Sequence, residues 1–474
     1  YRALVRGCTQ LGTMNLRIES FLLTQLMIMT ASSLQAALQS LPDDAPEAVV
    51  KLFAQVLLEK LGFDQNDIYP EYQSQSGRNL AVDYAARKSQ GKNLFLHTKT
   101  NPDLLVELKG RDINLSPGSA RYASTARQLR GYLLGEYCKT ARWGLMTNSD
   151  HIQLFRKHGK VIHPATPCWP TNFDNIDEIV SRIKKKIENP LRALIVAVYN
   201  NKGGVGKTTT TVNLAAVLTL LHKKVLVVDF DPNQQDLTSS LGIPLSDGKV
   251  YEALKNRDID FSEIIFPYKL TNKKTQKSVQ FDVIPADKVL AYEVDEVKLR
   301  QELKPSALFK GLDRLRSQYD YILIDAPPNW RIFSQRALYA ADVVLVPTKH
   351  NNLFSLENAA MAIQKFIPET QELKGDGTPI ALPIFFNGEK TTDAQIRSAH
   401  EAISTIIKSS KKQGHDLTSY FYPKLVRSKQ DLHIFEVPAY ANIASAAFSR
   451  IPAVYRDITA FEYYKNLAKE YFLQ

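Results

Sequence analysis

Residues 201–210 read NKGGVGKTTT and lie directly between an apolar run, ALIVAVYN (193–200), and a segment of helical character. A glycine-rich turn leaving a buried strand and opening a helix is a phosphate cradle. Glycines let backbone N–H groups close on phosphate oxygens, and the helix N-terminus adds its dipole. On that reading Gly203, Gly204, Val205, Gly206, Lys207, Thr208 and Thr209 wrap a nucleotide, with Lys207 reaching the β- and γ-phosphates and Thr208 holding Mg²⁺. The usual pattern has glycine six residues before the lysine. Asn201 stands there, followed by an extra lysine, Lys202.

Downstream, the apolar runs KVLVVDFD (224–231), FDVIPA (281–286), YILID (321–325), DVVLVPT (342–348) and IALPIFFN (380–387) alternate with helical segments. Near-continuous apolar strands separated by helices predict an α/β fold with a mainly parallel sheet covered on both faces. The loop KGGVGKTT resembles the deviant Walker A of the ParA/MinD (SIMIBI) P-loop ATPases. The resemblance extends through Asp229-Phe-Asp-Pro232, YDYILIDAPP (319–328), VVLVPT and IFFN, and covers about residue 193 to the end. It implies ATP and Mg²⁺ as ligands and an ATP-dependent homodimer in which Lys202 crosses to the partner's nucleotide. It further implies that Asp231 orients the attacking water or metal, that Asp325 binds Mg²⁺ through water, and that Pro347 and Asn387 border the base. Lys424, Arg427 and Lys429 fall where ParA-like proteins grip DNA, although a solvated basic loop reads the same way. DNA and a ParB-like or other adaptor protein are the implied partners. The glycine usually found after the family's DPQ is absent from DPNQQD (231–236), a departure in a switch segment.

The first half has a different pattern. Val49, Leu52, Phe53, Val56, Leu57 and Leu61 recur at helical spacing, and three strand-like runs follow at 67–73, 79–87 and 103–109. A helix over 119–137 and two short strands, 143–148 and 152–157, complete the order αβββαββ. The boundaries expected are a leader at 1–30, a first domain at 31–178, a linker at 179–192 and the ATPase domain at 193–474.

Within that first domain, Asp83 sits on an alternating strand, and Glu107-Leu-Lys109 lies on an apolar one, so Glu107 and Lys109 share a face. Carboxylates at adjacent strand ends can hold divalent ions against a phosphodiester while a lysine orients the attacking water. The arrangement resembles the PD-(D/E)xK nuclease core, a restriction-endonuclease-like fold. Glu47 falls where many such nucleases add a metal-site carboxylate, and Gln128 and Tyr132 match the QxxxY of the RecB-like branch. GLMTN (144–148) with HIQLF (151–155) is similar to the strand pair in the N-terminal domain of type I restriction motor subunits. The resemblance implies Asp83, Glu107 and Glu47 as ligands to Mg²⁺ or Mn²⁺. Asp103, in a literal Pro-Asp pair, is a competing acid, but it lies on the same strand as Glu107.

Composition is permissive rather than decisive. The chain has 474 residues, 44% of them hydrophobic, and a net charge of +11 that is spread over both halves and suits an anionic partner. Three cysteines without a CxxC pair argue against a disulfide scaffold or zinc ribbon and fit a reducing cytoplasm. The apolar stretch 21–29 falls short of the ~20 residues a spanning helix needs, so no membrane partner is expected. Two functions fit: a ParA-like ATPase driving a metal-dependent DNA endonuclease, in defence against foreign DNA, or a partition or positioning ATPase whose first domain only binds DNA.

Overall fold

The computed structural model describes residues 33–76, 81–256, 258–271, 278–292, 295–424 and 431–474. The expected leader, 1–30, lies outside them, as do Arg427 and Lys429. The chain folds as two compact units that divide between Pro190 and Leu191.

The first unit is built on a seven-stranded mixed sheet. Strands β1 (Ile68–Gln73), β2 (Ala81–Ala86), β3 (Leu104–Leu108), β4 (Trp143–Thr147), β5 (His151–His158) and β6 (Val161–Pro164) run in that order, and β7 (Trp169–Pro170) pairs with β5. Only β3 and β4 are parallel, joined through the helix Ala120–Leu133. Alternation along β3 decides what each face buries: Leu104, Val106 and Leu108 pack with the helix Glu47–Lys60, and Leu105 packs with Leu129 and Leu133. Glu47 in that helix's first turn and Lys60 in its last complement the helix dipole. The basic segment SRIKKKIE (181–188), a helix within the expected linker, is the end of a longer helix, Ile176–Glu188, whose Ile176, Ile179, Val180 and Ile183 are buried in the first unit's core.

In the second unit the sheet order is β10 (Phe266–Thr271), β11 (Ser278–Ile284), β9 (Val225–Asp229), β12 (Tyr321–Asp325), β8 (Leu194–Val198), β13 (Val343–Leu345), β15 (Ile380–Ala381). All neighbours are parallel except the edge pair β10/β11. Every residue of β8, β9 and β12 is buried, as a sheet covered on both faces requires. Two runs read as single strands are broken. After β13 the chain steps to β14 (Pro347–Thr348), and Pro383, which has no N–H for a ladder, separates β15 from β16 (Phe385–Asn387). Strands β14, β16 and β17 (Glu436–Val437) form a separate small parallel sheet. Among the described residues no helix is long and apolar enough to cross a membrane.

Candidate functional site

Insertion of β12 between β8 and β9 sets three strand ends in one row, with Asp325 opposite both Val198 and Asp229. The chain leaving β8 forms the glycine-rich loop and enters the helix Lys207–Leu220, so that loop and the two aspartates meet at the carboxyl edge of the sheet. Thr208 Oγ1 donates to Asp325 Oδ2 at 2.7 Å, and Thr211 Oγ1 lies 3.5 Å from Oδ1. Asp229 accepts from the Thr238 N–H at 2.9 Å and its hydroxyl at 2.6 Å. Burial pushes both carboxyls up, Asp229 to about 6, and their mutual repulsion raises Asp325 further.

Lys207 is buried, which lowers its pKa, while Asp325 and Asp231 oppose the shift. Its ammonium donates to the Lys202 carbonyl at 3.1 Å, which keeps the charge inside the loop. The Lys202 side chain is half-buried and has no ion-pair partner among the described residues. Asp231 accepts the N–H groups of Asn233 and Gln234, both at 3.2 Å, and so folds its own turn. That turn's left-handed residue is Gln235, at φ +54.

Gly206, at φ +82, caps the helix; a Cβ there would stand 2.1 Å from Asn387 Nδ2. The Asn387 amide donates to Val205 O at 3.0 Å and lies 3.2 Å from Thr210 Oγ1. Asn387 and Pro347 were expected to border the base. The asparagine reaches the loop backbone, where only glycine leaves room for so close an approach, and the Pro347 carbonyl accepts Asn200 Nδ2 at 2.8 Å. Asn200 was missed from sequence. Fully buried, it also donates to Ser355 O at 3.0 Å and accepts the Lys202 N–H at 3.0 Å, anchoring the start of the loop. Thr209 and Thr208 line a cavity of about 580 Å³ whose far wall includes Phe448 and Arg450. Lys424, expected to meet DNA, lies 3.9 Å from Glu470.

The first unit also gathers its expected residues. Register places Asp83 of β2 beside Glu107 of β3, and Asp83 Oδ2 accepts the Leu108 N–H at 2.8 Å. Lys109 Nζ contacts Glu107 at 2.5 Å and Glu47 at 3.8 Å, while Gln128 donates to the Tyr132 hydroxyl at 2.8 Å. Burial outweighs the Lys109 attraction and lifts Glu107 to about 7; burial and Asp83 raise Glu47 as well. The expected metal triad is not assembled, however: among the described residues no three acidic, histidine or cysteine side chains converge closely enough to hold an ion. Lysines hold the carboxylates instead. Lys51, missed from sequence, pairs with Asp83 at 3.1 Å and Glu71 at 2.5 Å; its spacing of four from Glu47 on one helix was the available signal. Asp103, the competing acid, pairs with Arg142 at the opposite end of β3.

A parallel sheet with a glycine-rich loop, a threonine and a strand-end aspartate at its carboxyl edge defines the second unit as a P-loop nucleotide-binding unit. Comparison with known proteins agrees. Residues 193–375 match a family described as an AAA domain. The chain is 37% identical over 190 residues to the sporulation initiation inhibitor protein Soj of Bacillus subtilis, covering 38% of this chain and 70% of Soj. It is 34% identical over 225 residues to the chromosome partitioning protein ParA of Myxococcus xanthus, covering 46% of this chain and 72% of that protein. The septum site-determining protein MinD of Pyrococcus horikoshii, complexed with Mg-ADP, is 20% identical, with 59% of this chain and 95% of that chain covered and a TM-score of 0.40. Through its second unit, the chain belongs to the ParA/Soj family of P-loop ATPases.

Proposed function

We propose that the second unit is an ATP-hydrolysing switch that dimerises on ATP and acts as a partition or positioning ATPase on DNA, with an adaptor protein of the ParB kind as partner. The observation that carries this reading is the Thr208–Asp325 contact behind Lys207. Asp325 is a buried carboxyl without enough positive charge around it, so the donor set fits Mg²⁺, which Thr208 would hold directly and Asp325 through water. The bound ion would neutralise charge between the β- and γ-phosphates. Lys207 would exchange the Lys202 carbonyl for phosphate oxygens, and Asp231 would orient the attacking water. Phosphoryl transfer needs little beyond such positioning and charge compensation. Lys202 is the residue that would reach the nucleotide of a second copy. Lys207→Ala should abolish nucleotide binding, and Lys202→Ala should keep binding but lose dimerisation and hydrolysis, read by fluorescent-nucleotide titration and size-exclusion chromatography. Unchanged hydrolysis in Lys207→Ala would refute the assignment.

A second reading concerns the first unit. Glu47, Asp83, Glu107, Lys109, Gln128 and Tyr132 stand in the order of a PD-(D/E)xK nuclease, and Asp83, Glu107 and Lys109 meet at one strand edge with Glu47 beside them. On this reading the unit is a metal-dependent DNA endonuclease. Binding Mg²⁺ or Mn²⁺ would draw Glu107 and Asp83 away from Lys109 and Lys51, and ATP-driven pairing of two chains would supply two cutting sites. Plasmid incubation with either ion, with and without ATP, tests it. Cleavage lost in Glu107→Ala and Lys109→Ala supports the endonuclease. No cleavage of any DNA by the wild type leaves the first unit a DNA-binding adaptor.

A further inference from the structure

The first unit contains a cavity of about 490 Å³ where β1 meets the loops that follow Thr98 and Leu133. Its walls carry Tyr69, Tyr72, Tyr137, Lys99, Lys139 and Asn101. The cavity is braced from behind. The buried Tyr72 hydroxyl lies 3.3 Å from the Lys99 carbonyl and 3.2 Å from that of Tyr137, tying two loops to one strand. The Tyr137 N–H donates to Ser74 O at 3.0 Å, and a Cβ on neighbouring Gly135 would lie 2.4 Å from the same carbonyl oxygen. Glu71, Lys99 and Asn101, all lining the cavity, hold left-handed backbone at φ +50, +52 and +57 although none is glycine. Such strain persists only where the surroundings impose it.

The chemistry of the lining is specific. Lys99 Nζ lies 4.4 Å from the centroid of the Tyr69 ring and 3.0 Å from its hydroxyl, so that ring is already engaged. Tyr137 is 45% exposed, and its ring has no aromatic or cation partner among the described residues. The side-chain amides of Gln73 and Asn101 likewise make no hydrogen bond among the described residues. An uncovered aromatic ring stacks a planar base, amides can pair with its edge, and ammonium groups at Lys99 and Lys139 suit its phosphate. Two acids, Glu71 and Glu136, also line the cavity; Glu71 pairs with Lys51 at 2.5 Å, and the same lysine holds Asp83 of the acidic cluster at 3.1 Å.

We propose that this cavity is a nucleobase site, taking one unstacked base with its phosphate against Tyr137. Its adjacency to the Glu107 cluster through Lys51 makes a DNA strand the natural source, a point that rests on the reading of the first unit as acting on phosphodiesters. A free mononucleotide offers the same chemistry.

The test uses the full chain carrying Glu107→Gln, with saturating ADP filling the loop 202–209. A single-stranded oligonucleotide with one 2-aminopurine is titrated by fluorescence, beside the same strand with an abasic position and 2-aminopurine deoxyriboside monophosphate alone. Binding should quench the fluorophore. Tyr137→Ala should weaken the base-containing strand about 5- to 100-fold, the range for losing one stacked base, and leave the abasic strand unchanged. Tyr137→Phe should restore binding, which a merely misfolded loop would not do. An abasic strand that binds as tightly as the intact one, or an unaltered affinity in Tyr137→Ala, overturns the proposal. Preference for the strand over the monophosphate assigns the site to DNA, and equal affinity assigns it to free nucleotides. Plasmid cleavage by the wild type is read in parallel. Base binding without cleavage removes the nuclease reading alone, and cleavage without base binding removes this one alone.

Discussion

Replacing Gly206 by alanine tests the loop's construction most directly. The backbone there sits at φ +82, and the new Cβ would stand 2.1 Å from Asn387 Nδ2, far inside contact distance. Holding a non-glycine residue in left-handed backbone costs about 1–2 kcal/mol. Displacing the Asn387 amide from Val205 O and Thr210 Oγ1 strands a buried donor, for roughly another 1–3 kcal/mol. Together these correspond to a loss of about 2–5 kcal/mol, or roughly 30- to 5000-fold in affinity for a nucleotide that needs the native loop. The assay is a titration with fluorescent ATP together with denaturant unfolding. A double-mutant cycle isolates the collision: Asn387→Ala alone loses the hydrogen bonds, and adding Gly206→Ala to it then meets no amide. The double variant should therefore be less impaired than the sum of the singles. Strict additivity, or a Gly206→Ala protein with wild-type affinity and stability, would refute the argument.

Asp229 and Asp325 hold protons in the folded chain that the unfolded chain releases, so their contribution to stability is full below about pH 4 and falls as pH rises through about 6 for Asp229. Mg-ADP should accordingly raise the melting temperature more at pH 8 than at pH 5, and an equal gain at both would contradict the electrostatics. Arg316 and Asp342 form a buried two-pronged ion pair at 2.7 and 2.9 Å, with Asp342 also accepting the Ile195 N–H. Asp342→Ala should destabilise the second unit by about 3–5 kcal/mol in chemical denaturation, since it removes both prongs of the pair and leaves the buried guanidinium only the more exposed Asp313, at 3.0 Å. Lys51→Met releases Asp83 and Glu71 from their shared lysine and should tighten Mn²⁺ binding severalfold by calorimetry; weaker binding would mean that the lysine supports the site rather than blocking it.

The sequence was most readable where the chemistry is contiguous. Residues 201–210 occupy one turn, and strands such as Leu194–Val198 are buried on both faces, so an uninterrupted apolar run marks them directly. Asn387 was nameable but its direction was not, because its contacts cross to Val205 and Gly206 and depend on a backbone angle invisible in the residue string. The helix Ile176–Glu188 was legible in its basic second half, but its first turn and the side it buries were not: Ile176, Ile179, Val180 and Ile183 set it into a core that the lysine run does not announce. In the acidic cluster, residue types and order gave Asp83, Glu107 and Lys109 correctly as neighbours. Lys51 escaped because a lysine on an amphipathic helix ordinarily points to water, whereas here its ammonium sits between Glu71 and Asp83 on two neighbouring strands.

Asn200 gives the loop a mechanical connection. Its amide spans the Pro347 and Ser355 carbonyls, and Ser355 belongs to the first turn of the helix Leu353–Met361, which exposes Leu353, Phe354 and Met361. The same asparagine grips the Lys202 N–H. One buried asparagine thus anchors three things at once: the first residues of the phosphate loop, the carbonyl of Pro347, and a helix whose outer edge is greasy.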